Sequence, residues 1–368
     1  MRARVCVGLS GGVDSAVAAL LLQRAGHAVE AVFMKNWEED DTGDHCTAAE
    51  DYAAARAACA HLGIPLRAVN FATEYWDRVF EQFLAEHAAA RTPNPDVLCN
   101  KEIKFRAFLD YAVGLGADFI ATGHYARLTV RAGRPRLLTA RDADKDQTYF
   151  LYALQASQLE RVLFPIGELT KPEVRRLAHA AGLPNHDRRD STGICFIGER
   201  DHRAFLARYL QPEPGEIRTL AGALMGTHAG LAFYTIGQRH GLGIGGAGAP
   251  WYVVAKDPAT RTLYVEQGEH PALYSEALIA TELSWVNEPP APDLAVGAKI
   301  RYRQRDQPCT LSWLDADTVR VQFQQPQRAV TPGQALVLYA GEECLGGGTI
   351  QRAEPAAASA FHNAAAYR

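Results

Sequence analysis

The sequence predicts a doubly wound parallel α/β sheet followed by two small all-β domains. Three observations carry this prediction. Over roughly the first 200 of 368 residues, short apolar runs alternate with helix-spaced segments, as in a parallel sheet covered on both faces. After about residue 205 helical spacing fades, and short alternating runs punctuated by Gly and Pro replace it. A Gly-rich stretch, Gly8-Leu9-Ser10-Gly11-Gly12-Val13-Asp14-Ser15, joins the first apolar run to the first helical segment. Sheets of this class bind ligands at that kind of junction.

The elements follow in order. Residues 5–7 read as the first strand and 16–24 as the first helix; 29–34 read as the second strand. A polar loop, 35–45, carries an acidic run at 38–41. Residues 47–62 form an Ala-rich helix that Gly63 and Pro65 stop. A third strand is expected at 66–70, then a helix over 74–90 with Trp76, Val79, Phe80 and Phe83 at helical spacing. Residues 119–122 form a further strand ending at Gly123-His124. In the β half, 251–254 and 262–266 alternate as strands, and Ser275 marks a split into two small barrels or sandwiches. The expected domains are 1–204, 205–275 and 276–353, with 354–368 an Ala-rich, disordered tail.

Composition narrows the function classes. The 48% hydrophobic content is that of a globular protein, and no apolar run approaches the ~20 residues of a membrane span. Residues 5–9 are too short for a secretory leader. Seven scattered cysteines form no CxxC pair, which argues against zinc-ribbon and iron–sulfur sites and for a reducing, cytoplasmic compartment. A net charge of −4 argues against indiscriminate nucleic-acid binding, without excluding a local basic surface.

The Gly-rich junction leaves backbone N–H groups free to face an anion, and a helix N-terminus adds about half a positive charge. No Gly-Lys-Ser/Thr follows, so it is not a Walker A loop. Its run Ser10-Gly11-Gly12-Val13-Asp14-Ser15 resembles the pyrophosphate loop (PP-loop) of adenylating ATP pyrophosphatases, which attack the α-phosphate of ATP; a ligand-free βα turn is the plainer alternative. Met34 reads as one wall of an adenine pocket or as a core methionine.

Other motifs lie further on. Pro93-Asn94-Pro95-Asp96 suggests an N-cap at Asp96, placing Cys99 in the first helical turn near Lys101, Lys104 and Arg106. Such a setting lowers a thiol pKa; a buried structural cysteine is the alternative. Cys195 follows Asp190-Ser191-Thr192-Gly193, with Arg188, Arg189 and Arg200 nearby. If the two thiols meet, they form a redox pair, one accepting sulfur as a persulfide and the other resolving it as a disulfide. Lys145-Asp146-Gln147 leads into Thr148-Tyr149-Phe150 and reads as a nucleic-acid contact or a structural cap. Lys299, Arg301, Arg303 and Arg305 occupy alternate positions of an expected strand, a basic stripe for a polyanion or a solvated face. Residues 234–246, Gly-rich with no helix after them, read as a close-packed turn rather than a dinucleotide fingerprint.

Together these pieces resemble the bacterial tRNA 2-thiouridylases (tRNA-uridine 2-sulfurtransferases) of the PP-loop superfamily. The resemblance spans residues ~4 to ~352, most specifically 8–15, 33–37, 92–105, 121–125, 145–151, 190–200 and 345–348. It implies an adenine nucleotide α-hydrolase-like domain, a central β domain and a C-terminal β-barrel. It also implies ATP bound at Gly8, Leu9, Ser10, Gly11, Gly12, Val13, Asp14, Ser15, Met34 and Gly123, with Mg²⁺ accompanying the nucleotide near Asp14. By the same likeness Asn94, Pro95 and Asp96 meet the target base, and Asp96 joins the catalytic set. His124, Lys145, Asp146, Gln147, Arg301, Tyr302 and Gln334 contact tRNA; Cys99 is the nucleophile and Cys195 carries the persulfide. His240 stands where the family more often has Lys. The implied reaction adenylates the C2 oxygen of the wobble uridine in lysine, glutamate and glutamine tRNAs. Sulfur from a relay protein's persulfide then displaces AMP. The alternatives are another adenylating PP-loop ligase and a non-catalytic tRNA-binding sulfur carrier.

Overall fold

The computed structural model describes residues 2–38, 47–190, 201–291 and 294–355. The N-terminal sheet has strands β1 (Arg4–Gly8), β2 (Ala28–Lys35), β3 (Leu66–Asn70) and β4 (Phe119–Ala121). A hairpin of β5 (Arg127–Arg131) and β6 (Arg134–Leu138) follows, and β7 (Val162–Leu163) completes the sheet. The order is β3-β2-β1-β4-β7, all parallel, with Val7 opposite Ala31 on one side and Ala121 on the other. β1 is central, so Val5, Cys6 and Val7 are all buried, which explains an apolar run without alternation.

Two helical layers cover the faces. Helices α1 (Val13–Arg24) and α2 (Thr47–Leu62) bring small residues, Ala16, Ala18, Ala19, Ala55 and Ala58, fully buried against one face. On the other face the helix of Ala72–Tyr75, Trp76–Phe80 and Glu81–Ala88 buries Tyr75, Phe80 and Phe83. Each such burial contributes about 1.5–3 kcal/mol. The middle of that helix and the segment Cys99–Ala107 wind as π-helix, a form common at functional sites. No helix among the described residues is long and apolar enough to cross a membrane.

The central unit is a four-stranded sheet, β8 (Gly215–Arg218), β9 (Leu224–His228), β10 (Trp251–Asp257) and β11 (Thr262–Gln267), in the order β10-β11-β8-β9. The C-terminal unit contains β12 (Tyr274–Trp285), β13 (Val296–Lys299), β14 (Gln307–Trp313), β15 (Val319–Arg328), β16 (Ala335–Ala340) and β17 (Glu343–Pro355). Pairing runs β12-β15-β14-β13-β16-β17 and returns from β17 to β12, closing a six-stranded antiparallel barrel. Its core holds Leu278, Val296, Val321, Leu336 and Ile350.

The structure departs from the sequence expectation in three places. The β5–β6 hairpin, turned by Ala132 and Gly133 at positive φ, leaves the N-terminal sheet and adds to the barrel through Leu137 opposite Cys344. The last strand continues through Glu354, which pairs with Arg320, so the expected tail begins too early; residues 356–368 lie outside the described residues. The basic stripe does not form. β13 ends at Lys299, and the chain then turns, with Gln304 N–H bonding Arg301 O and Arg303 at φ +63°. Tyr302 anchors that turn by packing on Phe150, while Lys299 points inward, 3.5 Å from Asp146 and over the Tyr339 ring.

Candidate functional site

At the carboxyl end of β1 the chain turns through Ser10-Gly11-Gly12 into α1. Gly12 is the N-cap and has no side chain to cap with, so the first-turn amides of this 12-residue helix have neither a capping nor an intrahelical partner. Ser15 Oγ folds back, donating to Gly12 O at 3.1 Å and accepting from Ser10 N–H at 3.2 Å. Gly11 sits at φ +83°, and a Cβ there would lie 2.4 Å from Asp51 O. A Cβ on Gly123 would lie 2.6 Å from Ser15 N and 2.8 Å from Asp14 C, so the end of β4 packs directly on the start of α1. The Met34 methyl covers Gly8 at the same edge, half-buried. The loop residues, Met34 and Gly123 therefore converge.

A charge cluster adjoins the loop. Lys171 Nζ donates to both Asp14 oxygens at 2.8 Å and lies 2.7 Å from Asp190 Oδ1. Asp190 also takes Lys145 Nζ at 2.7 Å and Arg175 Nη2 at 2.8 Å. Burial pushes the Asp190 carboxyl up, but the hydrogen bonds and charges of Lys145 and Lys171 outweigh it and hold the pKa at about 2. Tyr125 OH donates to Asp14 Oδ1 at 2.9 Å; burial, then the Asp14 charge, push its pKa far up and keep it a donor. These contacts also bear on Mg²⁺. Of the carboxylates near the loop, Asp14 and Asp190 are already occupied by Lys171, Lys145 and Arg175, and Asp51 by Arg188, and no group of three acidic, His or Cys residues occurs among the described residues. A cage made by protein side chains alone is therefore not present among the described residues; a Mg²⁺ accompanying the nucleotide would rest on phosphate oxygens and water, with Asp14 the carboxylate nearest the loop.

The second half of the site begins at Thr92. The N-cap is Asn94, not Asp96: Asn94 Oδ1 accepts from Asp96 N–H at 3.2 Å. Pro95 dictates this, since its fixed φ and missing N–H suit the first helical position, so the helix starts two residues earlier than expected. Cys99 thus lies after the first turn Pro95–Leu98, fully buried where the π-helical segment starts, rather than exposed at a helix end. Three neighbours hold this element. Gln334 Nε2, from the barrel, donates to Thr92 O at 2.7 Å. Asn100 Nδ2 donates to Phe150 O at 3.0 Å, and Phe150 carries the Tyr302 ring at 4.6 Å. Phe105 lies 5.6 Å from the His124 ring, whose Nδ1 is 2.8 Å from Thr122 Oγ1. Burial, with the Lys104 charge, keeps His124 neutral, its pKa well below the usual imidazole range.

The remaining expected contacts have internal partners. Asp146 is buried and accepts from Ala140 N–H and from Thr148 Oγ1. Gln147 Oε1 accepts from Tyr125 N–H at 2.9 Å, and Arg301 Nη1 donates to Arg328 O at 3.4 Å. Cys195 lies outside the described residues, as does all of 191–200. Sequence reasoning missed Lys171, Arg175, Tyr125 and Asn185. Lys171 follows Thr170, whose N–H and hydroxyl bond Glu173 Oε2, so a helix-start signature marked the position but not its contact with Asp14.

Comparison with known proteins agrees with this layout. Residues 3–199 match the family described as tRNA methyl transferase HUP domain, 203–267 its PRC-barrel domain, and 275–350 the aminomethyltransferase beta-barrel domain. The tRNA-specific 2-thiouridylase MnmA of Methylococcus capsulatus is 58% identical over 358 residues, 95% of this chain and 96% of that protein. The protein of the same name from Alkalilimnicola ehrlichii is 60% identical over 360 residues, 96% of this chain and 98% of that protein. Identity at this level spans the nucleotide loop, the Cys99 element and the closed barrel alike, and the chain belongs to the tRNA-specific 2-thiouridylase family.

Proposed function

We propose that this chain replaces the C2 oxygen of the wobble uridine in lysine, glutamate and glutamine tRNAs with sulfur, at the expense of ATP. The observation that carries the reading is identity over nearly the whole chain to relatives named 2-thiouridylases, in a chain that carries both an uncapped glycine loop and the Asn94–Cys99 element. The chemistry requires both halves. Uridine C2=O is a poor electrophile because oxide is a poor leaving group; adenylation converts that oxygen into AMP, which leaves readily. The loop amides suit the departing pyrophosphate, and Lys171 lies beside them with its charge shared between two carboxylates.

The acceptor must be an unstacked base, and an anticodon loop presents one at low cost. Asn94, Pro95 and Asp96 are the proposed base contacts. In the proposed sulfur step, the Cys195 persulfide, loaded by a donor protein in the cytoplasm, supplies sulfur to C2. Cys99 resolves the Cys195 sulfur as a disulfide that a thiol reductant later reopens. With buried Cys99 as a starting point, base entry and persulfide approach both need the surrounding side chains to move.

The test is nucleoside analysis of unmodified tRNA after incubation with the protein, ATP and a persulfide source. The expected product is wobble 2-thiouridine, with AMP and pyrophosphate released only when tRNA is present. Cys99→Ser and Cys195→Ser should each abolish 2-thiouridine while leaving ATP binding intact. Pyrophosphate release without tRNA, or full thiolation by either variant, overturns the reading.

A further inference from the structure

The turn at residues 183–188, outside every motif assigned above, reaches back to the nucleotide loop. Asn185 is 5% exposed, and its Nδ2 donates to Gly11 O at 2.8 Å. Arg188 Nη1 donates to the same carbonyl at 3.3 Å while Nη2 bonds Asp51 Oδ1 at 2.5 Å. Arg175 secures the turn from behind, donating to His186 O and Arg188 O. The Oδ1 atom of Asn185 is buried without a hydrogen-bond partner among the described residues. An amide half-satisfied in the interior is disfavoured relative to an apolar side chain of the same shape. Its one bond is therefore what that side chain contributes.

That bond acts on a single peptide plane. A trans peptide points its N–H opposite its C=O. With the Gly11 carbonyl drawn outward by Asn185 and Arg188, the N–H of Gly12 must face the inside of the loop. There it reaches only Ser10 Oγ, at 3.4 Å, and Ser10 is exposed. Beside it stand the uncapped first-turn amides of α1. Turning this peptide over changes ψ of Gly11 and φ of Gly12, now −76°, and costs little sterically because both residues are glycine and glycine tolerates both signs of φ. A turned peptide would direct a carbonyl oxygen at the phosphates.

We propose that Asn185 and Arg188 are positioning residues for the adenylation step: by capturing the Gly11 carbonyl they hold the Gly12 N–H toward the β- and γ-phosphates of ATP and the pyrophosphate that leaves. The proposal rests on the 2-thiouridylase reading for its reaction but not for its binding test. Asn185→Asp keeps the shape and exchanges the donor for an acceptor, which repels the Gly11 carbonyl. Arg188→Met removes the second donor, and Arg188→Lys retains a cation.

The experiment measures affinities of the purified full chain for ATP, pyrophosphate and AMP by calorimetry, with tRNA affinity and pyrophosphate release alongside. Asn185→Asp should weaken ATP and pyrophosphate about 10- to 100-fold, the range for losing one charge-assisted hydrogen bond. AMP and tRNA affinities should stay within about twofold. Arg188→Met should show the same selectivity at smaller size, and Arg188→Lys should recover most of it. Equal losses for AMP and pyrophosphate would mean general damage to the fold, and unchanged pyrophosphate affinity would mean the loop holds itself; either overturns the proposal. If Asn185→Asp does not fold, the Arg188 pair decides alone. If the unaltered protein binds pyrophosphate selectively but forms no 2-thiouridine, the functional reading fails while this proposal stands.

Discussion

The two halves of the site are built differently. The nucleotide half is a backbone object: Gly11 and Gly123 allow main chain to approach main chain, and most of its parts lie within residues 8–15. The acceptor half is held by side-chain contacts with three separate stretches: Gln334 donates to Thr92 O, Asn100 donates to Phe150 O, and His124 lies against Phe105. A backbone site is rigid and intolerant of an added atom. A side-chain site yields locally when one partner is lost, and its cost is that of one hydrogen bond.

The largest effect expected from this contrast is at Gly123. Gly123→Ala drives a methyl into Ser15 N and Asp14 C, neither of which belongs to a flexible side chain. Pyrophosphate release should fall about 100-fold or more as the α1 amides shift. Stability should drop about 1–3 kcal/mol from overpacking. Steady-state turnover and chemical denaturation check both; an alanine variant with unaltered ATP affinity would break the contrast.

Gln334→Leu should act more mildly and on the other half. It strands the Thr92 carbonyl, a loss of about 1–3 kcal/mol, and loosens the approach to Asn94 and Cys99. Turnover with tRNA should fall about tenfold while calorimetric ATP affinity holds. A fall in ATP affinity equal to that in turnover would show that the halves are not separable.

The smallest effect concerns the frame behind the acceptor half. His87, on the Glu81–Ala88 helix, meets Ala232 O at 3.1 Å and lies 5.2 Å from the His202 ring. Burial, then the His202 charge, lowers its pKa from 6.5 to about 3. The folded pKa is depressed, so the unfolded chain takes up the proton first. Stability is fully present above pH 6.5 and is lost as the pH falls from there toward 3. Melting temperatures measured between pH 8 and 4 should decline below about 6.5, and His87→Gln should flatten that decline. An unchanged slope would mean that other groups govern it.

Legibility followed the same contrast. The glycine-rich junction could be read because a tight strand-to-helix turn needs glycines at consecutive positions, and a contiguous requirement leaves a contiguous trace. The alternation of strands and helices was readable for a similar reason, since periodicity is local. The basic stripe misled because two-residue spacing from Lys299 to Arg305 is also compatible with a turn, and only the packing of Tyr302 on Phe150 decides between them. Asp96 misled by two residues, because Asn94 and Asp96 are both good caps and the proline between them selects the first.

By itself, then, the sequence determined the parallel sheet, the β half and the glycine-rich strand-to-helix junction of residues 8–15, all of which rest on neighbours in the chain. The tertiary structure alone decided that the β5–β6 hairpin joins the barrel, that Lys171 bridges Asp14 to Asp190, and that Asn185 and Arg188 hold the Gly11 carbonyl. All of these but the Lys171–Asp190 contact join residues 150 or more positions apart. No local propensity encodes them, because each forms only after both layers have packed on the sheet.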